Sequence, residues 1–171
     1  MISSISGTSG PLCVPWTMVS CQGYSQCNKT KERFFPVTHV DDWQPKDNFP
    51  AGLVNGENDD AWITVYIPKN FKSLKEIMLV MIPAATLEPM FIQIQTDYGG
   101  IGELYNINSE NSPGKPVNTV VDTKVELDLM DVVDTRAVKA GDYIGVKATY
   151  VSNTNAYVLG VRISYKAKSK D

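Results

Sequence analysis

The feature that most constrains the fold is a two-residue alternation of apolar and polar side chains, which recurs between residues 61 and 165. It is clearest in Val121–Leu129, where Val, Thr and Leu alternate with Asp, Lys and Glu. Successive side chains of a β-strand point to opposite faces of the sheet, so this period indicates strands with one buried and one solvated face. Almost no stretch shows the helical period. The chain is therefore predicted to be all-β.

About eight strands are predicted, and in the last of them Tyr157, Leu159 and Val161 are expected to share the buried face. The strands are expected at Phe34–Val40, Ala61–Ile67, Ile77–Ile82, Met90–Thr96, Gly102–Ile107, Val121–Leu129, from Gly141-Asp142 to Tyr150, and at Tyr157–Tyr165. Residues 41–60 are predicted to be a connecting loop, and Asp131–Val138 one or two helical turns. Short strands separated by turn signals are typical of an antiparallel sandwich or barrel.

The N-terminal part of the chain differs from the rest in charge. Residues Met1–Asn28 contain no charged residue, although they carry apolar side chains such as Trp16. Disordered tails are usually rich in charge, so this segment is expected to pack into a groove on its own domain or on a neighbouring copy. A first edge strand of the same domain is the alternative. We therefore predict an uncharged arm or edge segment at residues 1–30 and a β-sandwich domain at residues 31–171.

Charge and hydropathy argue against two kinds of partner. The 16 basic and 19 acidic residues give a formal net charge of -3, so no basic field favours nucleic acid. The longest apolar run, Ile77–Ala85, is too short to span a bilayer. The N-terminus lacks the basic residues that open a secretory signal, so the chain is expected to be soluble and to start as written.

The residues that most enzymes need are missing from the sequence. His39 is the only histidine and lies in a half-apolar stretch, where a structural role is favoured over that of a base. The glycine cluster Gly99–Gly102 lacks the Lys and Ser or Thr of a phosphate-binding loop and is predicted to be a turn. Carboxylates on the strand Val121–Leu129 alternate with a lysine, as on an ordinary solvated face. No catalytic residue is predicted.

Metal binding is not predicted either. Cys13, Cys21 and Cys27 have none of the spacings of a zinc knuckle. Three reduced thiols are favoured over one free thiol beside a disulfide or over a bridge between subunits. The acidic stretch Asn55–Asp60 offers oxygen ligands to calcium but does not fit the EF-hand pattern, so a solvated turn is favoured. No cofactor is expected.

Aromatic residues supply the candidate binding groups. Trp62, Tyr98 and Tyr105, with Trp43, could present flat rings to a sugar, since aromatic rings pack against apolar surfaces while remaining partly wet. Packing in the core or at an interface is the favoured interpretation of these four positions.

The segment Lys139–Val146, followed by a polar turn and Tyr157–Tyr165, resembles the closing hairpin of jelly-roll domains. In those domains an Ala-Gly-Asp turn opens one long strand and an aromatic residue ends the next. The resemblance implies a jelly-roll sandwich. Two groups of proteins share it: single jelly-roll virion proteins of bacterial and archaeal viruses, and carbohydrate-binding β-sandwiches. The uncharged arm is more similar to the arms of the virion proteins.

The sequence is therefore interpreted as that of a non-enzymatic structural protein that assembles with copies of itself, as a viral capsid or virion-surface component made in the host cytoplasm. Its partners would be its own copies and other virion proteins. Trp16, Tyr24 and Trp43 are predicted at the subunit interface because binding hot spots are enriched in Trp and Tyr. The alternative is a carbohydrate-binding module that contacts a glycan through Trp62, Tyr98 and Tyr105.

Overall fold

The computed structural model describes residues 29–55, 59–150 and 155–168, and its regular secondary structure there consists of β-strands joined by turns. The strands are β1 (Thr30–Pro36), β2 (His39–Val40), β3 (Asp42–Trp43), β4 (Gly52–Val54), β5 (Asp60–Tyr66), β6 (Phe71–Pro83), β7 (Leu87–Gly99), β8 (Asn108–Thr119), β9 (Val125–Asp128), β10 (Tyr143–Tyr150) and β11 (Ala156–Ala167). The prediction of an all-β chain is confirmed.

The strands form two antiparallel sheets. Sheet A has the order β3-β4-β11-β6-β9, with β1 also paired to β11, and sheet B has the order β2-β5-β10-β7-β8. Strands β4 to β11 thus give two four-stranded layers, β4-β11-β6-β9 and β5-β10-β7-β8. This is the jelly-roll arrangement of eight strands that the sequence predicts. Strands β2 and β3 extend the two layers beside β5 and β4, and β1 pairs with β11.

The core lies between the sheets and is built from the apolar positions of the two-residue alternation. Ile63 and Val65 of β5 and Ile144 and Val146 of β10 are buried, as predicted. They pack in one cluster with side chains of sheet A such as Leu79. Burial of a large aliphatic side chain contributes about 2 kcal/mol, so this interleaved set of branched residues holds the layers together.

One prediction about β11 is wrong. Tyr157 and Leu159 do not share the buried face of Val161; they pack with Val80 and Ile82 on the outer face of sheet A. The pairing with β6 shifts between Val158 and Gly160, so one extra residue is inserted into β11. Such a β-bulge reverses which face the preceding residues occupy.

Three further predictions need correction. The strand expected at Val121–Leu129 is shortened to β9, because residues 121–122 form a turn in which Val121 is 42% exposed. Gly102–Ile107 is a turn between β7 and β8. Asp131–Val138 forms hydrogen-bonded turns, including Ala137 N to Asp134 O at 3.0 Å, without a helix.

Two parts of the fold are absent from the predictions. Strand β8 pairs with β7 although its sequence contains two prolines and few apolar residues. Strands β3 and β4 lie inside the stretch expected to be a loop. These are edge or short strands, for which a clear apolar alternation is not required.

The predicted arm falls almost entirely in residues 1–28, outside the described part of the chain, as do Cys13, Cys21 and Cys27. The proposed division at residue 30 therefore stays a prediction. No described segment is a helix long and apolar enough to cross a membrane.

Candidate functional site

The outer face of sheet B brings polar and aromatic side chains of three strands into rows. In the β5-β10-β7 register, Thr64 lies opposite Gly145 and Gly145 opposite Asp97. One row further, Trp62 lies opposite Lys147 and Lys147 opposite Gln95. Residues opposite each other on antiparallel strands share a face, so these six residues form a single surface.

The surface contains a shallow cavity of about 150 Å³, here called the Gly145 pit, lined by the side chains of Trp62, Thr64, Gln95, Asp97 and Lys147 around Gly145. Gly145 forms the floor because it carries no side chain. A Cβ atom placed there would lie 3.6 Å from the carbonyl oxygen of Asp97, an ordinary contact distance. The pit is therefore open because of a missing side chain, and the backbone would tolerate one.

Trp62 forms one wall of the pit and is contacted by residues of β2, of the connection before it and of β10. Both the amide and the hydroxyl of Thr38 donate to the carbonyl oxygen of Trp62, at 2.9 and 2.8 Å. The His39 ring lies 5.1 Å from the Trp62 ring, and Lys147 Nζ lies 5.7 Å from the ring centre. The Thr38 bonds fix the backbone of Trp62, while the His39 and Lys147 contacts restrict its ring at the rim of the pit.

Lys147 is itself held in place by an acidic partner. Its Nζ lies 2.7 Å from Asp60 Oδ2. The hydroxyl of Thr149 donates to the other carboxylate oxygen of Asp60, and the Asp60 amide donates to Asp41 at 3.0 Å. The positive charge in the pit is therefore neutralised within the protein.

The other polar groups of the pit have no such partners. Among the residues that the structure describes, the side chains of Thr64, Gln95 and Asp97 make no hydrogen bond or ion pair with the protein. Thr64 and Gln95 are exposed and Asp97 is half-buried. An amide, a hydroxyl and a carboxylate thus point to solvent around one aromatic wall, as donors and acceptors for a polar ligand.

A second aromatic pair lies on the same face beyond the pit. Tyr66 and Tyr143 are opposite each other on β5 and β10, with ring centres 5.2 Å apart. Tyr143 is 52% exposed. Tyr66 lies four residues after Trp62 along β5, which is about 14 Å on an extended strand.

The residues predicted to contact a glycan do not lie together. Trp62 lines the pit. The prediction that Tyr98 contacts a glycan is wrong, because its ring is fully buried. Its hydroxyl accepts a hydrogen bond from the Asp134 amide at 2.9 Å, and burial raises the pKa of Tyr98. Tyr105 is exposed in the turn between β7 and β8 and does not line the pit.

The pit residues that sequence reasoning missed are Thr64, Gln95, Asp97 and Lys147. Each occupies a solvent-facing position of an alternating strand, and this position is the sequence feature that could have identified them. Their mutual proximity depends on the register of three strands, which a sequence pattern does not provide.

The outer face of sheet A carries a different surface, here called the sheet A groove, with a volume of about 250 Å³. It is lined mainly by apolar side chains, with charged groups at the rim: Phe34, Pro36, Phe49, Pro50, Val80, Lys124, Glu126, Leu159 and Arg162. Phe34 and Phe49 are both at least half exposed. Exposed apolar surface of this kind marks an interaction site more often than scattered single residues do.

The charges at the rim of the sheet A groove are paired with one another. Arg162 lies 2.7 Å from Glu126, 3.1 Å from Glu76 and 3.6 Å from Glu32. The hydrogen bond from Arg162 lowers the pKa of Glu126, and the same bond raises the pKa of Arg162. Because the guanidinium is already surrounded by carboxylates, it is not free to bind an anion.

The predicted interface residues are divided between described and undescribed parts of the chain. Trp43 lies on the edge strand β3 of sheet A and is 51% exposed. Trp16 and Tyr24 lie outside the described residues.

Residues 29–55, 59–150 and 155–168 contain no cluster of metal-binding geometry. No group of three or more His, Cys, Asp or Glu side chains there is arranged to hold a metal ion. His39 packs against the Trp62 ring. The acidic stretch considered for calcium includes residues 56–58, which are outside the described residues.

No family model and no curated protein matches the chain. Among solved structures, it is similar to the CBM36-1 domain of a multidomain xylanase from the hindgut metagenome of Trinervitermes trinervoides, at 13% identity and a TM-score of 0.45, covering 78% of this chain and 96% of that one. It is also similar to the family 11 carbohydrate-binding module of Clostridium thermocellum, at 9% identity and a TM-score of 0.39, covering 82% and 85%. These similarities are too distant to assign the chain to a family.

Proposed function

We propose that the protein is a non-catalytic carbohydrate-binding β-sandwich that contacts its glycan through the Gly145 pit. The observation that carries the proposal is the group of unpartnered polar side chains, Thr64, Gln95 and Asp97, around an open floor beside the fixed ring of Trp62. Sugars present hydroxyl groups at their edges and C–H groups on their faces. They therefore need hydrogen-bonding side chains and an aromatic surface at the same place.

Pre-organisation supports the same proposal. The Trp62 ring packs against His39 and Lys147 is paired with Asp60 before any ligand arrives, so these two side chains lose little further entropy on binding. The polar groups of the pit are solvated in the free protein. A ligand must replace that water with its own hydroxyls, which a polyhydroxylated molecule does and an apolar molecule does not.

The test is a glycan-array screen followed by calorimetric titration of the hits, with Gly145→Val as the key variant. Valine fills the floor of the pit but suits a β-strand, so affinity should fall at least tenfold while the melting temperature is retained. Gln93→Val is the matched control, because it places the same side chain on the same face outside the pit. Unchanged affinity of folded Gly145→Val, or no glycan bound by the wild type, would contradict the proposal.

The sheet A groove supports a second candidate function, self-association of the kind found in a capsid or virion-surface protein. We propose that the uncharged segment of a neighbouring copy, residues 1–28, occupies this groove. The groove is apolar and its rim charges are already paired, so an uncharged apolar segment is the complementary occupant. Trp16 of that segment would supply an aromatic anchor.

Self-association is tested by multi-angle light scattering of the full chain over a range of concentrations. The wild type should form a multimer, and Phe49→Ser and Trp16→Ser should each shift it towards the monomer mass. Tyr105→Ser is the control, since Tyr105 is exposed elsewhere. A monomeric wild type at high concentration would remove the basis for this function and for a virion location.

A further inference from the structure

The charges of the Gly145 pit are not balanced. Lys147 is paired with Asp60 at 2.7 Å, so these two groups cancel. Asp97 lies across Gly145 from Thr64 and has no cationic or hydrogen-bonding partner among the described residues. The pit therefore presents one uncompensated carboxylate to a ligand.

An uncompensated carboxylate discriminates between ligands by charge. It accepts hydrogen bonds from sugar hydroxyls, and bonds to an ionised acceptor are the stronger ones. A ligand carboxylate or sulfate in the same place would instead meet a like charge at short range. The only cation lining the pit is Lys147, which is already engaged by Asp60.

We propose, on the basis of the proposed glycan-binding function, that Asp97 makes the Gly145 pit selective for uncharged sugars over anionic ones such as uronic acids, sialic acids and sulfated sugars. Asp97 is then a specificity-determining residue. Like charges within a few ångströms at a partly solvated site reduce affinity by roughly tenfold.

The experiment uses affinity electrophoresis, with polygalacturonate and its carboxyl-reduced form, a galactan of the same linkage, as the matched probes. Wild-type protein should bind galactan more tightly, and added salt should narrow the difference because it screens the repulsion. Asp97→Asn should raise the affinity for polygalacturonate relative to galactan by roughly tenfold. Glu110→Gln is the control, since it removes the same charge outside the pit on β8.

The outcomes separate this inference from the function on which it rests. If the wild type binds both polymers equally, or if Asp97→Asn leaves their ratio unchanged, the charge selectivity is wrong while glycan binding stands. If the wild type binds neither of these polymers nor any glycan of the array, both proposals are wrong. A wild-type preference for polygalacturonate would also overturn the selectivity.

Discussion

At the residue scale, Gly160 determines which side chains of β11 enter the core. It has φ of +155°, and a Cβ atom there would lie 2.1 Å from the carbonyl oxygen of Phe35 on β1. The bulge beside it turns Tyr157 and Leu159 outward while Val161 faces inward. The apolar pattern alone places all three on one face, because a sequence does not reveal where an extra residue enters a strand.

Gly160→Ala should therefore destabilise the fold by about 3 kcal/mol, since the methyl group collides with backbone that cannot move without separating β1 from β11. Urea unfolding followed by tryptophan fluorescence measures the change. Gly145→Ala is the matched control: its nearest contact is 3.6 Å, and its free energy of unfolding should stay within about 0.5 kcal/mol of the wild type. Equal stability of the two variants would show that the bulge does not require glycine.

Glu126 gives a prediction about pH. Its pKa is lowered in the folded protein by the hydrogen bond from Arg162, from an ordinary value of 4.5. The contribution of ionised Glu126 to the stability of the fold is therefore complete above that value, and it is lost as the pH falls through the lower pKa of the folded state. Glu126→Gln should cost about 0.5 kcal/mol at pH 7 and nothing in strong acid. The free energy of unfolding of the wild type and of Glu126→Gln is measured across the acidic range. A difference between the two proteins that does not shrink as the pH falls would contradict this prediction.

At the element scale, the predictable strands are those with a long apolar alternation. Strands β5, β10 and most of β11 carry rows of buried apolar side chains on their inner faces, so alternation alone locates them. Strand β8 lies at the edge of sheet B and carries Pro113 and Pro116, which an edge strand tolerates because one side is unpaired. No apolar stripe marks such a strand. The candidate site was predicted only in part. Trp62 is recognisable as a binding residue by its type, whereas Asp97 joins the site only through the pairing of β7 with β10.

Strand β5 places Trp62 and Tyr66 on one face about 14 Å apart, a distance longer than a single sugar ring. If a glycan lies along this strand, a chain of several sugars reaches Tyr143 and a short one does not. Tyr143→Ala should therefore weaken binding of long oligosaccharides by about tenfold, as for a lost aromatic contact, and leave the shortest ligand that binds unchanged. Titration with an oligosaccharide series checks this, and an equal loss at every length would place Tyr143 outside the extended site.

At the scale of the whole molecule, the jelly roll is compatible with both proposed functions, because lectin domains and viral capsid proteins share it. The two outer faces differ in chemistry. Sheet B presents unpartnered polar groups around an aromatic wall, and sheet A presents an apolar groove with paired charges. The core separates them, so each face can bind its own partner.

This separation predicts that the two faces are energetically independent. Phe49→Ser should change the mass of the assembly without altering glycan affinity. Gly145→Val should lower glycan affinity without changing the mass of the assembly. The double variant should show the sum of the two effects within about 0.5 kcal/mol, as expected for distant sites that share no contacts. Light scattering and titration of all four proteins under one condition measure both properties. Loss of glycan affinity in Phe49→Ser would mean that assembly builds the binding site, and the Gly145 pit of a single copy would then be insufficient.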